Sequence, residues 1–219
     1  MDYGFILSSI PLYIKAGKLT LELAFWGILL SLLIGAVCAV ISYYKIRGLQ
    51  QLVSVYIEIS RNTPLLIQLF FLYYGLAKLG IKLEAYTCAI VGLAFLGGSY
   101  MAEAFRAGLE AVSRSQIETG MSLGLSTWQL LRYVIFPQAL RVAVPPLAAN
   151  VIFLLKETSV VSAIALADLM FVAKDLIGMY YKTSEALLLL VLSYLLLLLP
   201  ISFAFSYLER RLRHDGLGH

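Results

Sequence analysis

The sequence predicts an all-α integral membrane protein with about five transmembrane helices, and three observations lead there. The 219 residues are 61% hydrophobic and only 14% charged, against about 25% charged in soluble domains. The charges are clustered: none falls between Glu22 and Lys45, Arg61 and Lys78, Glu84 and Glu103, Arg141 and Lys156, or Glu185 and Glu209. Finally, "LLLLVLSYLLLLLPISFAF" (187–205) has no polar face to turn toward water, as a soluble bundle helix would.

Taken in order, the segment 3–14 reads as an interfacial stretch lying on the membrane, since Asp2 stands where a signal peptide has basic residues. Spans follow near 19–44, 55–77, 85–106, 142–167 and 186–208. A crossing needs roughly 20 mostly apolar residues. The first, third and fifth charge-free runs meet that, and the second and fourth do so by taking in a charged residue. A connection at 107–141 separates the third and fourth spans, and residues 1–219 form one domain. Thr63-Pro64, just inside the second span, predicts a kink.

Five spans place Arg47, Arg61, Arg106, Arg114, Arg132, Arg141, Arg210, Arg211 and Arg213 on one side. Of the lysines, only Lys45 joins them. The positive-inside rule then puts the N-terminus outside and the C-terminus in the cytoplasm. A net charge of +4 without a basic, aromatic-interleaved stripe excludes a nucleic-acid partner; the partner surface is the lipid bilayer. Cys38 and Cys88 lie inside spans and read as packing residues.

The connection is itself helical. Ser113 with Gln116, and Ser126 with Gln129, are capping-box patterns; Gly124 stops the first helix and Pro137 bends the second. The result is a rigid knob. "GMSLG" (120–124) matches a nucleophile elbow, but no strand precedes it, and the chain's histidines are His214 and His219 in the tail. No phosphate loop and no metal-ligand spacing occurs, so no catalytic residue, metal or cofactor is expected on this chain.

The knob resembles the EAA loop of ABC importer membrane subunits, whose pattern is E-A-A, three residues, G, nine residues, I-x-L-P. Here it reads Glu118-Thr119-Gly120, Gly124, then Val134, Phe136 and Pro137. "RNTPLLIQLFFLYYG" (61–75), "YMAEAFRAGLEAV" (100–112), "LLKETSVVSAIALADL" (154–169) and the terminal "LERRLR" are similar to segments of bacterial polar amino-acid permeases of the histidine/glutamine/arginine type. Asn62, where glycine is usual, and "GGS" (97–99) depart from the pattern.

The resemblance implies a type I ABC importer permease-like fold in the bacterial cytoplasmic (inner) membrane. It implies partners: two ABC ATPase subunits carrying ATP and Mg, a second copy of the chain or a paralogous permease subunit, an extracytoplasmic solute-binding protein, and an amino-acid substrate. Glu118, Gly120, Gly124 and Pro137 would form the ATPase-coupling element, with the two glycines allowing close backbone approach. For Glu118 a plain solvated carboxylate is the other reading.

Lys156 and Glu157 interrupt the fourth span roughly 22 Å beyond Arg141, past the bilayer middle. Charges at that depth usually face a bundle interior or a wet cavity. Either Glu157 lines the substrate path with Lys156 in support, or Lys156 snorkels outward and Glu157 caps a neighbouring helix. Ser159, Thr63, Ser99 and Glu103 complete the candidate path. Glu58 with Arg61, and Glu103 with Arg106 and Glu110, have the spacing of ion pairs at the cytoplasmic rim. Asp168 either ends the fourth span or meets the external partner. The competing function is a secondary transporter or channel working alone, which predicts internal repeats that the chain does not show.

Overall fold

The computed structural model describes the backbone of residues 1–214, in which helices and no strand occur. Eight helices follow in order: α1 Tyr3–Tyr43, α2 Leu49–Asn62, α3 Leu65–Lys78, α4 Ala85–Glu110, α5 Arg114–Ser122, α6 Thr127–Ile164, α7 Leu169–Tyr180 and α8 Thr183–His214. Four of them, α1, α4, α6 and α8, are long and apolar enough to cross a membrane.

Residues 3–14 are not a separate interfacial element. They continue without a break into the first span, giving a helix of 41 residues that absorbs Pro11. At 1.5 Å per residue it runs roughly 60 Å, about twice a hydrocarbon core. The reason is packing. Tyr13 and Ala16 are buried against Leu169, Ala173, Leu176 and Ala186 of α7 and α8. The Tyr13 hydroxyl donates to the Ala186 carbonyl at 2.7 Å, and Lys182 Nζ reaches Asp2 Oδ2 at 3.0 Å. The Phe5 amide and Lys182 together hold the Asp2 carboxyl below the usual carboxylate range.

The second predicted span is two helices. Thr63 is extended (φ −114°, ψ 122°), and Pro64 stands as the N-cap of α3, because the residue before proline is driven out of the helical region. Gln68 spans the break: its Nε2 donates to the carbonyls of Ser60 (3.1 Å) and Thr63 (3.0 Å). The fourth span also differs at both ends. Its α-helical part runs Phe136–Glu157 and tightens to a 3₁₀ helix, Thr158–Ile164, before left-handed Ala165 stops it.

Helix directions follow from side-chain contacts. Glu22 accepts from the Tyr86 hydroxyl, Ser31 donates to the Leu93 carbonyl, and Gly35 lies on Met101, so α1 and α4 run parallel. The α2–α3 segment between them therefore returns along the bundle. Asn150 donates to the Tyr100 carbonyl, while Gly108 meets Ala139 and Ala143, so α6 is antiparallel to α4. The C-terminal ends of α1 and α4 share one end of the bundle with the 107–141 connection.

Apolar helices in lipid gain little by hiding from water, so close packing of small residues and internal hydrogen bonds carry the association. The buried stripe of α1 is of this kind: Ala24, Gly27, Ser31, Gly35 and Cys38, set three and four residues apart. Around it Leu23, Leu65, Leu69, Leu93, Met101, Leu154 and Ile164 form the main core. On α8, Leu196 and Phe203 remain exposed, the large apolar surface expected of a lipid-facing helix.

Candidate functional site: a protruding knob and a charged helix face

The knob begins where Ser113 caps α5 by accepting from the Gln116 amide at 3.4 Å; the reciprocal Gln116 bond of a full capping box is not formed. At Ser126 the box is complete: Gln129 N donates to Ser126 Oγ (3.3 Å) and Ser126 N to Gln129 Oε1 (2.9 Å). Between them Gly124 has φ +78°. That conformation lets Leu125 N bond to the Gly120 carbonyl (3.1 Å), closing α5.

Gly120 and Gly124 do different work. A Cβ on Gly120 would lie 2.6 Å from Leu130 Cδ1, so its close approach is made to α6 within the chain. A Cβ on Gly124 would meet nothing within 4 Å, and its value is conformational. Val112, Leu130 and Ile135 are buried beneath, with Ile117 and Leu125 packed on them. The knob therefore has its own small core.

Pro137 does not end the second knob helix. The chain passes through a π turn, Leu131–Ile135, in which the Phe136 amide bonds to the Leu131 carbonyl, and continues into the long helix. The wider turn accommodates the amide that proline lacks, and Gln138 Nε2 donates to the Val134 carbonyl at 3.0 Å. The second knob helix and the membrane-crossing part of α6 are thus one continuous rod, on which α5 packs.

Glu118 is exposed, and its side chain has no hydrogen bond or ion pair to another described residue. Met121, Leu123 and Trp128 are also exposed, Leu123 by 77% and Trp128 by 67%. Together they form an exposed apolar patch on the knob. The sequence reading named the glycines and Glu118 but missed Leu123 and Trp128; apolar residues flanking a capped glycine turn were the available signal.

Deeper along α4 and α6 the charged groups sort differently from their spacing. Arg106 binds Glu103 (2.7 Å) and Glu110 (2.9 Å), as the spacing implies. Glu58 and Arg61 do not pair. Glu58 accepts from Asn62 Nδ2 at 3.1 Å, and Arg61 crosses to α4, over the Tyr100 ring at 5.1 Å and 4.0 Å from Glu103 Oε2. Ser99 is fully buried; it accepts from Ser60 Oγ (2.9 Å) and donates to the Leu96 carbonyl (2.7 Å), a packing contact between α2 and α4. Thr63 Oγ1 donates to the Ile59 carbonyl at 2.8 Å, beside an apolar groove lined by Ile67, Phe71 and Val91.

Lys156 is exposed, while Glu157 and Ser159 are half-buried. Neither Lys156 nor Glu157 makes a hydrogen bond or salt bridge to another described residue. Asp168 is fully buried and caps α7 by accepting from the Phe171 amide at 2.9 Å. It starts α7, after Ala165 has ended the 3₁₀ turn, and is not open to an external partner. Its Oδ2 has no hydrogen-bond partner among the described residues, and burial pushes the carboxyl up to about 6. No group of three or more His, Cys, Asp or Glu able to hold a metal occurs among the described residues. His219 lies outside them, and of the tail only the backbone reaches His214.

The fold is that of a multi-pass helical membrane protein, one of whose long helices extends into a capped knob. The chain belongs to the family of binding-protein-dependent transport system inner membrane components, whose model matches residues 6–214. It is an inner-membrane permease subunit, and ATP hydrolysis in such systems is carried by a separate ATPase. It is 37% identical over 196 residues to the probable amino-acid ABC transporter permease protein PatM of Vibrio harveyi, covering 88% of each chain. It is likewise 37% identical over 193 residues to the probable glutamine ABC transporter permease protein GlnP of Bacillus subtilis, again covering 88% of each. A solved amino acid ABC transporter structure superimposes with a TM-score of 0.88 at 34% identity, over 96% of this chain and 99% of that one.

Proposed function

We propose that this chain is the single-domain transmembrane subunit of an ATP-driven amino-acid importer, and that its knob couples the spans to the ATPase. The observation that carries the proposal is the exposed group Glu118, Met121, Leu123 and Trp128: Trp128 is on the long helix α6, and the others are on α5 and its closing turn, which pack on Leu130 of α6. A push on a rod is transmitted along it, whereas a flexible linker would absorb the movement. Glu118 supplies charge-assisted hydrogen bonds to the partner, and the apolar side chains supply buried contact.

The substrate class follows the amino-acid permeases to which the chain is similar. In this reading five crossings place the knob end in the cytoplasm and the first turns of α1 outside. Two ATPase subunits, with their ATP and Mg, dock on the knobs of this chain and of a second copy or a paralogous permease. An extracytoplasmic solute-binding protein delivers the amino acid to the opposite end. Glu157, Lys156 and Ser159 line the upper path, Glu103 its lower part and Thr63 the break between α2 and α3. Ser99 sets the spacing of the helices behind it.

The test is uptake and ATP hydrolysis in vesicles containing the chain co-purified with its partners. Reversing the charge in Glu118→Lys is expected to lower coupled uptake at least tenfold with normal membrane insertion. Normal coupled transport in that variant would remove the knob assignment. Uptake by the chain alone, without an ATPase, would identify a self-sufficient transporter.

A further inference from the structure

Arg61 closes α2 with its five donors unspent. Its guanidinium rests over the Tyr100 ring at 5.1 Å and forms a long ion pair with Glu103, Nη1 to Oε2 at 4.0 Å, without a hydrogen bond. It makes no hydrogen bond to a described residue, and its side chain is 43% exposed. Arg106, on the same cluster, is by contrast saturated, with bonds to both Glu103 and Glu110. One arginine of the cluster is hydrogen-bonded on both sides, and the other is held by a long ion pair and a ring contact.

Arg61 stands near the knob end of the crossing, at its rim. Glu103 follows Ala85, the start of α4, by roughly 27 Å and precedes its end, Glu110, by about 10 Å. Arg61 also adjoins the candidate path. The Tyr100 ring that carries Arg61 lies 5.2 Å from the ring of Phe153, and Glu157 follows Phe153 by four residues, on the same face of α6. Glu157, Phe153, Tyr100 and Arg61 form one continuous stripe.

Resting on the importer reading, we propose that Arg61 is a second substrate station, whose guanidinium takes the α-carboxylate of the amino acid while Glu103 faces its ammonium group. A guanidinium presents a planar fork that matches a carboxylate with two parallel bonds, and an aromatic ring fixes the plane of that fork. The opposite charges of a zwitterion stand a few ångströms apart, as Arg61 and Glu103 do.

The experiment uses the assembled transporter in phosphatidylcholine nanodiscs without the solute-binding protein. Vesicle uptake from a mixture of the twenty ordinary L-amino acids first identifies the transported one; uptake of none overturns the importer reading and this inference together. Binding of that amino acid and of its α-amide, which lacks the carboxylate charge, is then compared in wild type, Arg61→Gln and Arg61→Lys. Arg61→Gln is expected to weaken the acid at least tenfold and leave the amide unchanged, with Arg61→Lys intermediate. Equal loss of acid and amide assigns Arg61 a structural role, and unchanged acid binding removes it from the path; both overturn the proposal. An effect present only when anionic lipid is added assigns the guanidinium to lipid phosphate and overturns it too. If Arg61→Gln does not assemble, the acid-to-amide ratio in Arg61→Lys decides by the same criteria.

Discussion

Gly120 and Leu130 meet so closely that a Cβ on the glycine would lie 2.6 Å from Leu130 Cδ1. This contact joins the two helices of the knob over the core of Val112 and Ile135. The end of a leucine side chain can move aside for one methyl group, so Gly120→Ala is expected to be mild. Gly120→Val exceeds that allowance and is expected to cost about 1–3 kcal/mol, the usual range for overpacking. Hydrogen exchange at the α5 amides is the readout, and equal protection in the Val variant and wild type would contradict the packing argument.

Gly124 tests conformation without contact. At φ +78° with open space around it, Gly124→Ala is expected to destabilise the knob by about 1 kcal/mol. Gly124→Asn is expected to be better tolerated than Gly124→Ala, since asparagine accepts the left-handed region more readily. Limited proteolysis at 122–126 ranks the variants. The opposite order would show that the backbone relaxes.

Gln68 replaces helix hydrogen bonds lost at Thr63-Pro64. Gln68→Leu removes both donors, to Ser60 and Thr63, and is expected to lower stability by about 1–3 kcal/mol. Gln68→Glu is expected to be worse at neutral pH, because a carboxylate would face two carbonyl oxygens with no proton to share. Thermal midpoints in detergent measure the order; Glu at or above Leu would refute the bridging role.

Asp168 couples stability to pH. Its folded-state value of about 6 lies above the 3.8 of an unburied aspartate, with burial as the main cause. The folded protein therefore holds the proton more tightly than the unfolded chain. Stability is fully present below about pH 4, falls as pH rises toward 6, and levels off above that. Asp168→Asn keeps the Phe171 cap and removes the ionisation. It is expected to abolish the slope between pH 4 and 6 and to gain roughly 1–3 kcal/mol at pH 7.5. An unchanged slope in the variant would place the titration elsewhere.

What could be read from the sequence by itself is what depends on near neighbours in the chain. Charge-free runs marked where apolar helices form. The Ser126 and Gln129 pair closed its box, and Gly124 took the left-handed turn, because these bonds span only three to five residues. The Glu, Gly and Pro spacing pointed to the family for the same reason.

Tertiary structure alone decided which groups meet across helices. Residues 3–14 are apolar enough for an interface, yet α7 and α8 draw them into one long helix. Arg61 has a carboxylate one turn away at Glu58 and turns instead to Tyr100 on α4. Ser99 has the composition of a path residue and is buried by Ser60. Helical spacing states which side chains are within reach along one helix. Which of them a second helix then covers depends on rotation and register between helices, and these are set by packing over the whole bundle.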